Sequence, residues 1–208
     1  MSPRPRLDHV RRPEILAAAT AVIRERGLEN ARVADVAERA GTSAPSILYY
    51  FASKAELLKE ALTSAEERFY EELEDDLAGL ESARDRLVEV VDSGVGEGDY
   101  DAALWMEVWA KSLRDGELAG TRAELDRRWR RTIAEIVRYG QDRGEFGPAD
   151  SEQFAILLAS LLEGLAVQIA LHDEEVTPEL VRELSLRFAE RELGCELRAE
   201  DGMGSTRR

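Results

Sequence analysis

The chain has 208 residues, 44% of them hydrophobic and 34% charged, a composition typical of a soluble, helix-rich protein. The single cysteine, Cys195, excludes an internal disulfide, and no apolar run near Met1 suggests a signal peptide, so we expect a cytoplasmic protein. The net charge of −15 argues against a polyanion partner, but it is uneven, because residues 1–60 carry +2 and residues 61–208 carry −17.

The first predicted elements are three short helical segments. Apolar residues recur at the spacing of one helix face before Gly27: Ile15, Leu16, Ala19, Val22 and Ile23. A second helix stops at Gly41, and Ser43 is a favourable N-cap for a third, with Pro45 tolerated in its first turn. Two short helices joined by a tight, glycine-containing turn predict a helix-turn-helix, whose second helix can enter the major groove of DNA.

A long fourth helix is predicted from Ser53, because Glu56 three residues later completes a capping box. Further helical patterns cover residues 81–95, 100–113 and 117–143, separated by glycines. No strand-like alternation of useful length occurs. The sequence therefore predicts an all-α fold.

The segment Phe154–Leu171 is apolar nearly all round. In a soluble protein such a helix must be packed against other protein surfaces on every side. Its length is close to the minimum for a membrane span, but Glu163 near its middle would cost about 2.5–3.5 kcal/mol, so we expect no membrane partner. A final helix is predicted after Thr177-Pro178. We expect the two last helices to pair with those of a second copy, which makes the protein a homodimer.

These elements suggest three regions. We expect a helix-turn-helix DNA-binding domain of three helices over residues 1–55, and a helical bundle for ligand binding and dimerisation over residues 56–194. The polar, glycine-rich residues 195–208 are expected to form a disordered tail.

Several motifs in residues 10–60 point to one family: ILAAA at 15–19, Gly27, VADVA at 33–37, AGTS at 40–43, YYF at 49–51 and SKAELL at 53–58. As an ensemble they resemble the TetR family of bacterial repressors. A weaker set follows in the body: WMEVWA at 105–110, DRRW at 126–129, residues 140–146 and LEGLA at 162–166. This set resembles the C-terminal domain of the BetI-type subgroup, which includes regulators of choline and betaine metabolism.

The resemblance implies a homodimeric repressor whose two heads bind a palindromic operator in double-stranded DNA, and whose bodies bind a small effector that sets the spacing of the heads. A ligand-responsive activator or a corepressor-dependent regulator is an alternative. A second alternative is an acidic helical interaction protein whose helix-turn-helix docks protein instead of DNA. Three positions differ from the residues that are common in the family. Arg32 stands where a capping Ser or Thr is usual, Pro45 stands where Gly is frequent, and Leu48 stands where many members have Tyr.

Candidate DNA contacts lie on and around the third helix. The hydroxyls of Thr42, Ser43 and Ser46 can hydrogen-bond to phosphates or to base edges. The apolar Ala44 and Pro45 can contact a thymine methyl group. Either Tyr49 or Tyr50 is expected to touch phosphate, while the other supports the core. Lys54 stands at a helix N-terminus, which favours a phosphate over a purely solvated role. The predicted DNA-binding residues are Arg32, Thr42, Ser43, Ala44, Pro45, Ser46, Tyr49, Tyr50 and Lys54.

The candidate effector residues are Trp105, Trp109 and Glu163. The two indoles share a helix face at i and i+4, where they could hold a cationic or aromatic ligand by cation–π contact. Paired tryptophans at this spacing are also common in cores. Glu163 either meets the ligand or lies at the dimer interface. The acidic body, the indoles and the BetI-like pattern together favour a cation.

Enzymatic functions have little support. The only histidines are His9 and His172, and no metal-ligand spacing, nucleophile motif or phosphate loop occurs. We therefore expect no catalytic activity, no cofactor and no bound metal.

Overall fold

The computed structural model describes residues 8–95 and 102–197, and within them the only regular secondary structure is α-helix. The prediction of an all-α fold is confirmed. In chain order the helices are α1 Asp8–Asn30, α2 Val33–Arg39, α3 Ala44–Tyr50, α4 Lys54–Ala78, α5 Ala83–Val95, α6 Ala102–Ser112, α7 Gly116–Asp142, α8 Ser151–Ala170 and α9 Pro178–Leu193.

The chain forms two compact units. The first unites residues up to Glu72 with residues 101–125, and the second unites residues 73–100 with the rest. The long helices α4 and α7 each contribute to both units. The expected functional boundary at residue 55 stays a prediction, because the units group residues by packing alone.

The first unit has a core built by α1 to α4 together with α6 and the start of α7. Ile23, Ile47 and Phe51 are fully buried in it. The buried hydroxyl of Thr20 donates at 3.2 Å to the carbonyl of Ala61, or at 3.1 Å to that of Leu16, so it stays hydrogen-bonded where α1 packs on α4.

Helix α1 does not stop cleanly at Gly27, as the sequence suggested, but bends there and continues for one short turn. Gly27 has φ 79° and ψ 161°, a combination open essentially to glycine alone. The amide of Ala31 then donates to the Gly27 carbonyl at 3.0 Å, which closes the turn that leads into α2.

The predicted caps of the helix-turn-helix are present. Gly41 ends α2 with φ 60°, and the Ser43 hydroxyl accepts from the Ser46 amide at 3.3 Å at the start of α3. At the start of α4, the Ser53 hydroxyl accepts from the Glu56 amide at 3.1 Å. The Glu56 carboxylate accepts from the Ala52 amide, one residue before the position that the capping-box pattern predicts.

In the second unit α9 packs against α8 and α5. The rings of Phe154 and Phe188 stack with centroids 5.6 Å apart, and Asp150 caps α8 by accepting from two amides at 3.0 Å. One face of α8 is buried in this unit, whereas Ile156 and Leu157 on another face are 48% and 46% exposed.

Helix α8 is long and apolar enough to cross a membrane by length and composition, with a third of its apolar window buried. Core helices of soluble proteins pass the same test, so this property is weak support for a membrane span. The predicted disordered tail begins at Cys195, yet residues 195–197 have a described position and Leu197 is buried. Residues 198–208 lie outside the described part of the chain.

Candidate DNA-binding surface and effector site

The inward face of α3 is set by Ile47, which is completely buried, and by Phe51 one turn later. At 100° per residue, Pro45 and Tyr49 point roughly opposite to Ile47, and Leu48 lies on the flank of this outward arc. The exposures agree: Tyr49 is 78% exposed, Leu48 is 50% exposed, and Pro45 is exposed.

The structure distinguishes the two tyrosines. Tyr49 points to solvent, whereas Tyr50 is half-buried and packs against the core of the first unit, as Ala44 does. The two rings meet edge to face, with centroids 5.4 Å apart. Of the two, Tyr49 is therefore the tyrosine open to a partner of α3, and Tyr50 supports the helix from behind.

The two serines of α3 are brought together. The hydroxyls of Ser43 and Ser46 lie 2.8 Å apart and hydrogen-bond to each other, and Ser43 also caps the helix. Thr42 is half-buried in the preceding turn. Both serine hydroxyls thus already have hydrogen-bond partners, which weakens their role in reading base edges.

Two predicted cationic contacts lie on neighbouring elements. Arg32 is exposed at the N-cap position of α2, and its side chain makes no capping hydrogen bond, as expected. Lys54 stands at the first residue of α4, but its Nζ donates to the carbonyl of Glu29 at 2.9 Å. A phosphate at this helix start would have to share or displace that hydrogen bond.

Other arginines of the first unit are engaged in ion pairs. Arg26 pairs with Asp35 at 2.8 Å, Arg39 pairs with Glu25, and Arg12 pairs with Glu60. The Arg12 guanidinium also lies over the Phe51 ring, 5.0 Å from its centroid. The arginine side chain of each pair is 40–50% exposed, so each pair is worth little.

The candidate effector residues divide between the units. Trp105 and Trp109 lie on α6 in the first unit, and Glu163 lies half-buried on α8 in the second. Trp105 packs against the core of the first unit, which agrees with the structural interpretation of that residue. Trp109 is half-buried and is not part of that core.

A contact that the sequence did not reveal joins α6 to the bend of α1. The carboxylate of Glu107 accepts a hydrogen bond from the amide of Leu28. A Cβ at Gly27 would lie 2.6 Å from Oε1 of Glu107, so this approach requires glycine. Val108 beside it is buried in the same core. Helix α6, which carries both indoles, is thus held directly to the bend of α1 just before α2.

A cleft of about 390 Å³ lies beside this contact in the first unit, between α4 and the turn from α6 to α7. Its rim includes Lys59, whose Nζ donates to Glu117 at 2.6 Å, and this hydrogen bond raises the pKa of Lys59 above its usual value. Neither Trp105 nor Trp109 lines this cleft.

Comparison with known proteins gives matches to both regions. Residues 15–61 match the family described as bacterial regulatory proteins, tetR family, and residues 81–194 match the domain described as BetI-type transcriptional repressor, C-terminal. A curated relative, the HTH-type transcriptional regulator BetI of Cronobacter sakazakii, is 26% identical over 196 residues, which cover 92% of this chain and 95% of the relative.

Solved structures are similar over nearly the same extent. A protein described as a transcriptional regulator from Saccharomonospora viridis, in complex with choline, has a TM-score of 0.82 and 29% identity, covering 89% of this chain and 98% of that one. A TetR-family regulator from Rhodococcus sp. has a TM-score of 0.76 and 28% identity, covering 88% of this chain and 98% of that one.

Proposed function

Because the chain belongs to the TetR family and carries a BetI-type C-terminal domain, we propose that it acts as a homodimer that leaves a palindromic operator when a small cation binds. Membership itself makes the chain a DNA-binding transcriptional repressor with a ligand-binding domain, and not an enzyme. The proposal adds the assembly, the residues that meet DNA, the chemistry of the effector and the direction of its effect.

The proposed DNA contact is supported mainly by the exposed outward arc of α3. Tyr49 and Leu48, which are 78% and 50% exposed, are adjacent on the part of α3 that the core of the first unit leaves uncovered. Arg32 and Lys54 lie on the elements that precede and follow α3. In this arrangement α3 enters the major groove while the flanking cations meet phosphates.

Dimerisation is supported by the uncovered face of α8. Ile156 and Leu157 each leave nearly half of their surface exposed on an otherwise apolar helix. A second copy offers the same face, and a two-fold dimer would present two heads to the two halves of a palindrome. Operator DNA in bacteria lies in the cytoplasm, which is the location we propose.

The cationic effector is supported by three features. The structural relative from Saccharomonospora viridis is described with choline. Residues 61–208 carry a charge of −17, which raises the local concentration of cations. The half-buried indole of Trp109 offers a π face, and Trp105 lies one turn before it.

The proposal is tested with the full-length chain and a duplex selected from a random-sequence library. Binding is measured by fluorescence anisotropy at several salt concentrations, then with choline, glycerol and acetate added separately. We expect the logarithm of the affinity to fall linearly with the logarithm of the salt concentration, and only choline of the three compounds to weaken binding. Binding that ignores salt would contradict the DNA contact, and tightening by choline would reverse the proposed direction.

The proposed contact between Trp109 and the effector is tested by tryptophan fluorescence during a choline titration. Trp109→Ala should weaken choline binding at least about tenfold, because a desolvated cation–π contact is worth about 2 kcal/mol. Trp129→Phe is the matched control, since Trp129 is not among the proposed ligand residues. Unchanged affinity in Trp109→Ala would exclude this indole from the site.

A further inference from the structure

The recognition helix lacks the side chains that usually read bases. Residues 43–50 contain no Arg, Lys, Asn, Gln, Asp or Glu, and these are the side chains that make the base-specific hydrogen bonds in the major groove. The serine hydroxyls are already hydrogen-bonded to each other, and Ser43 also accepts from the backbone. Besides the remaining hydrogen-bonding capacity of these hydroxyls, α3 can contribute to sequence specificity through its apolar groups.

The apolar groups lie where a major-groove contact needs them. Pro45 and Tyr49 lie on the outward arc of α3 opposite the completely buried Ile47, and Leu48 lies on the flank of that arc. Leu48 is 50% exposed although it has a large aliphatic side chain. Leu48 is not part of the hydrophobic core of the first unit, to which its neighbour Ile47 and the following Phe51 belong.

The floor of the major groove offers one apolar group for such a helix. Guanine, cytosine and adenine present hydrogen-bond donors or acceptors there, and only thymine adds a C5-methyl group. We propose that Leu48, with Pro45 beside it, contacts thymine methyl groups in the operator. This contact makes Leu48 a specificity-determining residue. This inference rests on the proposed DNA contact of α3.

The contact has a defined energetic consequence. Each methyl-sized group removed from water contributes about a fourfold change in affinity. Deoxyuridine differs from thymidine only by that methyl group and keeps every hydrogen bond of the base pair. Replacing a read thymine by uracil in one half-site should therefore weaken binding by about fourfold, and a thymine that no apolar side chain of α3 touches should be replaceable without loss.

The experiment uses the full-length chain and the duplex that it selects from a random-sequence library. Copies of this duplex carry deoxyuridine at one thymine of a half-site at a time, and each is titrated against wild type, Leu48→Ala and Leu113→Ala. Leu113 is the matched control, because it is an exposed leucine at the end of α6, outside α3. The Leu48→Asn variant, whose side chain has the same number of heavy atoms and the same branching, is put through the same selection in parallel.

We expect at least one thymine whose uracil copy binds wild type and Leu113→Ala about fourfold more weakly. Leu48→Ala should bind both copies equally, and Leu48→Asn should select duplexes without that thymine. This inference alone would be overturned if the selected half-site contained no thymine, if no uracil copy showed a penalty, or if every penalty persisted in Leu48→Ala. Failure of wild type to enrich any duplex would overturn the proposed function itself.

Discussion

At the scale of single residues, the pair formed by Gly27 and Glu107 is the most constrained contact of the first unit. Gly27 has backbone angles that other residues adopt only at a cost of about 1–3 kcal/mol, and the carboxylate of Glu107 occupies the space where a Cβ would lie. The same carboxylate accepts from the Leu28 amide. One side chain of α6 thus fixes the geometry of the chain just before α2.

Gly27→Ala should lower the free energy of unfolding by about 2 kcal/mol, since it adds both backbone strain and a clash. The loss should shrink in a Glu107→Ala background, because the steric part is gone while the backbone part remains. Gly120→Ala is the control: nothing lies near its Cβ position within α7, so we expect it to stabilise by up to about 1 kcal/mol. Urea denaturation measures the change in the free energy of unfolding for Gly27→Ala, Glu107→Ala, the double variant and Gly120→Ala. If Gly27→Ala lowered this free energy equally with and without Glu107, the side chain of Glu107 would not constrain Gly27.

Lys54→Ala should weaken DNA binding about equally for all sequences and lower the slope of log affinity against log salt by about 1, because it removes one phosphate contact. The matched control is Lys111→Ala, which removes an exposed lysine from the end of α6. Since Lys54 also donates to the Glu29 carbonyl, thermal unfolding must be recorded beside the binding titration. An unchanged salt slope would leave Lys54 with that structural hydrogen bond as its only role.

At the scale of elements, the start of α5 depends on one carboxylate from the loop after α7. Glu145 accepts from the amide of Ala83 at 2.7 Å and from the hydroxyl of Ser82 at 3.1 Å, and it pairs with Arg143 at 2.6 Å. The hydrogen bond from Arg143, followed by those from Ala83 and Ser82, holds the pKa of Glu145 below its usual value. The charged form therefore caps a helix that lies more than fifty residues away in sequence.

The lowered pKa sets the direction of a pH effect. Glu145 adds stability above its unfolded-state pKa near 4.5, and this contribution is lost as the pH falls through the lower folded-state value. Glu145→Gln should therefore unfold more easily than wild type at pH 7, with a difference that narrows below pH 4.5. Chemical denaturation at pH 7 and at pH 3.5 measures both differences. A difference that stays constant with pH would mean that the charge of Glu145 does not contribute.

Local patterns were enough to predict most elements, but not the contacts between them. The caps at Ser43 and Ser53 and the end of α2 at Gly41 follow from side chains within four residues, and each is present. By contrast, the hydrogen bond from Leu28 to Glu107 joins residues 79 apart, and no local pattern marks either one. The exposure of Leu48 was missed for a similar reason, because helical periodicity alone does not show which flank of α3 the core covers.

At the scale of the whole molecule, dimerisation decides whether two recognition helices can act on one operator. A single head would make few phosphate contacts, and the strongly acidic remainder of the chain would oppose DNA binding. Pairing two heads on a palindrome raises affinity through effective concentration without any new contact in either head. Loss of the dimer should therefore lower operator affinity even when α3 is unchanged.

Leu157→Glu places a charge on the uncovered face of α8, where the proposed interface would bury it without a partner. Such burial costs several kcal/mol, so the dimer dissociation constant should rise at least about 100-fold. Leu113→Glu is the control, since Leu113 is 82% exposed and lies in the other compact unit. Light scattering at micromolar concentration should give a dimer for wild type and Leu113→Glu, and a monomer for Leu157→Glu. A monomeric wild type would exclude the proposed dimer. A Leu157→Glu dimer as tight as wild type would mean that the interface lies elsewhere. Operator binding by the Leu157→Glu monomer should then fall while its helical content, measured by circular dichroism, stays unchanged.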